Sequence, residues 1–188
     1  MNTGSIAIRY SKALFEEARI KGIDKDVYDF LNILQYNMKN VPDLQRVLIN
    51  PRIPKKKKFM LLATSSGLTD TISQSDKERY RLYYRFLQLV LEHQRENLLR
   101  TMILIYYVIY REYYHIVHVV FETAMTADAP LLQKVIEKIY AKTGQHVELE
   151  SHVRPDLIGC FCIRVGDRLY DFSYRTKLQN IRKRLWNK

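Results

Sequence analysis

Leu157-Ile158-Gly159-Cys160-Phe161-Cys162-Ile163-Arg164-Val165-Gly166-Asp167-Arg168-Leu169-Tyr170-Asp171-Phe172-Ser173 decides how this chain is read. Apolar residues alternate on both sides of Gly166-Asp167, and a Gly-Asp pair between two alternating runs signals a two-residue β-hairpin. Val153-Arg154-Pro155-Asp156 precedes the hairpin. After it, Tyr174, Leu178, Ile181 and Leu185 recur at helical spacing, which predicts a terminal helix. From residue 174 onward the chain carries Arg175, Lys177, Arg182, Lys183, Arg184 and Lys188 and no acid.

The same period-two signal begins after Tyr114. Val117, Val119 and Phe121 alternate with His118, Val120 and Glu122, predicting a strand to about Thr126. Pro130 then opens a helix to Thr143, with Leu131, Leu132, Val135, Ile136 and Ile139 as its apolar face and Gly144 as its terminator. Val147 to Val153 alternate again. The order strand, helix, strand, strand, strand, helix predicts a small α+β domain with a hairpin and one crossover.

Upstream the period is helical throughout. Helix one is expected from Ser5 to Lys21 on the stripe Ile6, Tyr10, Ala13, Leu14 and Ala18, with Ser5 as N-cap and Gly22 beyond its end. Lys25 to Lys39, with Val27, Phe30, Leu31, Leu34 and Met38, gives helix two, closed by Pro42. Asp43–Ile49, Lys55–Ser65, Asp76–Glu92 and Arg95–Tyr113 give four more. The expected architecture is therefore an α+β two-domain chain: a six-helix bundle over residues 1–112, then a small α+β domain over residues 113–188.

A hydrophobic content of 47% in 188 residues is enough for a packed core. The longest apolar run, Met102 to Tyr110, lies between Arg100 and Arg111 and is far short of the roughly 20 residues needed to cross a bilayer. No secretory apolar region stands at the N-terminus, and Glu16 and Glu17 argue against a transit peptide, so a cytoplasmic location is expected. The net charge of +11 favours an acidic partner, whether nucleic acid, an anionic membrane surface or an acidic helix. Charge alone does not choose among them.

Candidate chemistry is sparse. Cys160 and Cys162 are expected on one face of a strand as buried, inert thiols, about 6.5 Å apart along an extended chain and poorly placed for a disulfide. Lys55-Lys56-Lys57-Lys58 reads as the exposed start of a helix whose first turn opposes the helix dipole and must fray or lean on an acid. The stretches Tyr80-Arg81-Leu82-Tyr83-Tyr84-Arg85 and Tyr106-Tyr107-Val108-Ile109-Tyr110-Arg111 could stack single-stranded RNA, yet their helical spacing puts about half the rings inside a bundle. His115 and His118 fall where a strand begins and point to opposite faces, against a metal site. No nucleophile with a base, no Gly-rich phosphate loop and no paired carboxylates in an apolar setting occur. Neither an enzyme activity nor a cofactor is expected.

The terminal block resembles the end of the delta subunit of rotary ATP synthases, where a proline, Ile-Gly, a strand, Val-Gly-Asp, a strand and Asp-x-Ser lead into a helix. Arg9-Tyr10-Ser11-Lys12-Ala13-Leu14-Phe15-Glu16-Glu17-Ala18 is similar to that family's first helix, and Leu48-Ile49-Asn50-Pro51-Arg52-Ile53-Pro54 to its turn between helices three and four. The resemblance covers essentially the whole chain. Cys160 and Phe172 depart from it, standing where the family commonly has glycine.

The resemblance implies a non-catalytic stator subunit, one copy per complex, linking the catalytic head to the peripheral stalk of a proton- or sodium-translocating ATP synthase on the inner face of the cell membrane. It implies that a groove between helices one and five holds the N-terminal helix of an alpha subunit. By position, Ile8, Ser11 and Phe15 would face that helix from outside the core stripe, with Tyr10 and Leu14 as shared anchors and Tyr83, Leu87 and Val90 from helix five. It implies further that the C-terminal domain holds the C-terminal helices of the b subunits. Tyr174, Leu178, Leu185 and Trp186 would be the apolar contacts there, and Arg175, Arg182 and Arg184 the steering charges. A basic helical-bundle RNA-binding or regulatory protein is the alternative.

Overall fold

The computed structural model describes residues 3–68 and 80–186. Among them are eight α-helices and one four-stranded sheet, an α+β chain that divides into two units, Met1–Tyr110 and Arg111–Lys188.

In the first unit, α1 spans Thr3–Ile20, α2 Asp24–Asn40, α3 Pro42–Ile49, α4 Lys55–Ser65 and α5 Arg81–Glu92; α6, Leu99–Tyr113, preceded by a 3-10 turn at Glu96–Leu98, begins in it and runs across the division at Tyr110. Pro42 occupies the first turn of α3, where its missing N–H costs nothing, so it opens that helix as well as following α2. Helix α1 begins at Thr3, which removes Ser5 from the N-cap position. Of the expected start of the fifth helix, residues 76–79 lie outside the described residues.

The inner face of α1 is not the stripe expected from its largest apolar residues. Ala7, Ser11, Leu14, Phe15 and Ala18 are buried, whereas Ala13 is exposed and Ile6 and Tyr10 are half-buried. Small residues turn that face inward: the Ser11 hydroxyl reaches the Ala7 carbonyl at 2.9 Å and the Met102 carbonyl at 2.7 Å, so α1 lies close against α6. Phe15 meets the rings of Tyr106 and Tyr110 edge-on at 5.8 and 6.4 Å. On α6, Leu99, Met102, Ile103, Tyr106, Tyr107 and Tyr110 form the buried face, and Ile105 and Ile109 are only half-buried.

In the second unit, β1 spans Ile116–Thr123, α7 Ala129–Thr143, β2 His146–Val153, β3 Phe161–Val165, β4 Arg168–Asp171 and α8 Tyr174–Trp186. The sheet order is β2-β1-β3-β4. Strands β1 and β2 are parallel, Val119 beside Leu149, and α7 is the crossover that parallel pairing requires. Gly144 ends α7 in the left-handed conformation at φ 68°, its N–H donating to the Tyr140 carbonyl. Strands β3 and β4 are antiparallel with Val165 opposite Arg168, so Gly166-Asp167 is the two-residue turn, Gly166 at φ 55°. Val119, Phe121, Ile139 and Leu157 form the buried core.

The two cysteines do not share a strand face. Cys160 precedes β3, is exposed and sits at φ 59°, while Cys162 lies in β3 and is buried. Burial, helped by the neighbouring Asp171 carboxylate, pushes the Cys162 thiol up to about 11, so it stays protonated at neutral pH. A non-glycine residue pays for the left-handed region, and Cys160 does so at a position where the resemblance led us to expect glycine.

Candidate binding surfaces

Helices α1 and α5 leave an apolar groove between them. It encloses a cavity of about 310 Å3 lined by Arg9, Tyr10, Ala13, Leu14 and Glu17 of α1 and Leu82, Arg85, Phe86 and Leu89 of α5. Leu14 and Phe86 are buried and form its floor; Tyr10, Leu82 and Leu89 are half-buried walls. The Arg95 guanidinium lies 5.1 Å over the Tyr10 ring and helps hold that wall in place. Arg9, Arg85 and Glu17 put charge at the rim. An apolar trough with a charged rim is the form that receives an amphipathic helix.

The structure redistributes the residues proposed from sequence. Tyr10 and Leu14 line the groove. Ile8 is 53% exposed but stands outside it, and Ser11 and Phe15 are buried in the core, so neither is open to a partner. Tyr83, Leu87 and Val90 are fully buried. Tyr83 hydrogen-bonds Ser66 at 2.7 Å, and burial raises its phenol above the usual range. The residues that sequence reasoning missed are Leu82, Phe86 and Leu89, a continuous i, i+4, i+7 stripe whose spacing could have revealed it.

On α8 the exposure is the finding. Tyr174, Leu178, Ile181, Leu185 and Trp186 are between 50% and 75% exposed, so none of these apolar residues belongs to the core. Arg175 and Arg182 are exposed as well, and the Arg184 side chain lies outside the described residues. Its described anchoring contacts fall in the first turn. Ser173 caps the helix, its hydroxyl accepting the Thr176 N–H at 3.3 Å. The Asp171 carboxylate accepts from the Ser173 N–H at 2.8 Å and the Thr176 hydroxyl at 2.7 Å, and these bonds hold it well below the usual carboxylate range. Arg175 pairs with Asp156 at 2.8 Å, and Asp156 with Arg154, which also holds Glu122. Gly159 receives the Tyr174 ring so closely that a Cβ there would collide with its Cδ2.

The other sequence candidates resolve as structure. Lys58 is buried rather than exposed, its ammonium 2.9 Å from Glu96, and Lys55 donates to the Glu92 carbonyl at 3.2 Å. The acid that the lysine run needed is therefore supplied from the turn before α6. Tyr83, Tyr106, Tyr107 and Tyr110 are buried and cannot stack on bases. His115 precedes β1 at φ 51°, and His118, on β1, lies 3.3 Å from Glu150. Among the described residues, no three His, Cys, Asp or Glu side chains cluster as a metal site, and no helix is long and apolar enough to cross a membrane.

An apolar groove in one unit and an exposed, basic terminal helix in the other are surfaces of the kind found on binding proteins. The chain belongs to the ATP synthase delta (OSCP) subunit family, whose model matches residues 6–185. It is 37% identical to the ATP synthase subunit delta of Parabacteroides distasonis, over 97% of this chain and 96% of that protein. It is 32% identical to the subunit delta of Carboxydothermus hydrogenoformans, over 99% of each. A chain of the Toxoplasma gondii mitochondrial ATP synthase hexamer shares the fold, with a TM-score of 0.69 at 18% identity over 99% of this chain and 98% of that one. As a delta subunit the protein is a structural, non-catalytic component of the F-type ATP synthase, part of the peripheral stalk that serves as its stator. The RNA-binding alternative finds no support in these relatives.

Proposed function

We propose that the groove between α1 and α5 holds the N-terminal helix of an ATP synthase alpha subunit, and that the second unit holds the C-terminal helices of the b subunits through α8. In this reading residues 1–112 act as a six-helix bundle and residues 113–188 as the stalk-binding domain. One copy sits in each complex, peripheral on the cytoplasmic face of the inner membrane. A stator must resist torque while the rotor turns, so its subunit needs durable attachment at both ends and no reactive group.

The groove is the observation that carries the head-binding half. Its floor is apolar and its half-buried walls, Tyr10, Leu82 and Leu89, can close on an inserted side chain at little entropic cost. A synthetic peptide of the alpha subunit N-terminus, titrated into the full chain, tests it. Leu89→Asp should weaken binding at least thirtyfold, a loss of about 2 kcal/mol as for an interface anchor, while circular dichroism stays native. Ile8→Asp, on exposed surface outside the groove, should bind as wild type. Unchanged affinity in the Leu89 variant would overturn the assignment.

A further inference from the structure

The apolar residues of α8 follow a rule stricter than helical amphipathicity. Tyr174, Leu178, Ile181 and Leu185 are spaced four, three and four apart, which places them at d, a, d and a of a heptad repeat. The flanking e positions are then Arg175 and Arg182, and the g positions Lys177 and Arg184. All four are basic. In a two-stranded coiled coil the e and g residues face the partner's g and e residues and select it by charge.

Apart from Tyr174, whose ring seats on Gly159, the structure leaves this seam open to solvent. Thr176, at position f and opposite the a/d seam, is half-buried, and its hydroxyl is bonded to Asp171. The seam residues Leu178, Ile181 and Leu185 are 54% to 73% exposed. A thirteen-residue helix is marginal in water on its own, and this one has no acid to offset its cations along the chain.

We infer that α8 is one strand of a short heterotypic coiled coil whose partner is an amphipathic helix with apolar a and d residues and Glu or Asp at its e and g positions. This rests on the reading of stalk helices as the partner of the second unit and specifies their chemistry and geometry. A second copy of this chain is disfavoured, because its e and g residues would set cation against cation. Fewer than two heptads make a weak seam, so α8 fixes register and partner choice at the end of a longer attachment.

Trp186, the single tryptophan of the chain, follows the seam and reports on it. The full chain is titrated at low salt with two synthetic helical peptides that share Leu at a and d and carry Glu or Lys at e and g, following Trp186 fluorescence. The Glu peptide should bind about fifteenfold tighter, each of four charge pairs giving about twofold. Lys177→Glu/Arg182→Glu/Arg184→Glu, which spares the Arg175–Asp156 pair, should reverse the preference. Leu178→Ser/Ile181→Ser should abolish binding of either peptide. Equal affinity for both peptides, binding that survives the loss of Leu178 and Ile181, or tighter binding to phosphatidylglycerol vesicles than to the Glu peptide would overturn the inference. Co-purification with the native stalk subunits separates the two readings. Equal capture by wild type and the charge-reversed triple variant sinks the coiled coil and leaves the stalk assignment standing, whereas Glu-peptide selectivity without stalk capture does the opposite.

Discussion

The Ser11 hydroxyl sits 2.7 Å from the Met102 carbonyl, tying the first helix of the chain to the last helix of its unit across 91 residues. The pair explains why α1 presents two faces, a small-residue face that packs inward and an apolar edge, Tyr10 and Leu14, that borders the groove. Phe15 is on the inward face at 4% exposure. Phe15→Asp is therefore expected to unfold the first unit, because it removes a buried ring and strands a carboxylate in its place. Ser11→Val should destabilise by about 1 to 3 kcal/mol through overpacking against α6. Urea denaturation followed by circular dichroism measures both, and a folded Phe15→Asp protein would refute the packing of this face.

The turn before β3 carries removable strain. Ile158 and Cys160 both have positive φ, 65° and 59°, on either side of Gly159. Cys160→Gly should stabilise the protein by about 0.5 to 1 kcal/mol, the left-handed penalty for an L-residue less the extra flexibility of glycine in the unfolded chain. Gly159→Ala should do the reverse, because its Cβ would collide with the Tyr174 ring and unseat the first turn of α8. Thermal unfolding temperatures of the two variants should move in opposite directions.

Lys58 and Glu96 form an ion pair whose side chains are only 6% and 10% accessible. Losing one partner leaves a buried charge, so Lys58→Met alone should cost about 3 kcal/mol or more. Lys58→Met/Glu96→Leu should recover most of that loss, since apolar replacements avoid the desolvation penalty. A double-mutant cycle in denaturant reads the coupling, and additive losses would show that the pair acts as two independent groups.

Acidification should weaken the protein through His118. Burial, together with the nearby Arg111 cation, lowers its pKa below the ordinary 6.5, outweighing the attraction of Glu148 and Glu150. The folded state then binds fewer protons than the unfolded one. Stability is present above about pH 6.5 and is lost as pH falls below it. His118→Gln should flatten the decline between pH 7 and pH 5 in urea titrations, and a slope unchanged by the substitution would assign it to other groups.

Sequence alone determined what depends on local rules. The Gly166-Asp167 hairpin, the Pro130 start and Gly144 end of α7, and the Lys55–Ser65 helix all follow from backbone preferences a few residues long. The helical spacing and unbroken basic charge of α8 were equally legible. Tertiary structure decided which faces are covered. Phe15 looked available and is core because Tyr106 and Tyr110 lie against it; Leu82, Phe86 and Leu89 border an open groove because α1 turns its small residues toward α6. Lys58 is buried because Glu96, 38 residues away, meets it. Periodicity shows that a helix has an apolar face, but several rotations of a Tyr-rich helix satisfy it nearly as well. Contacts between residues far apart in the chain select one of them.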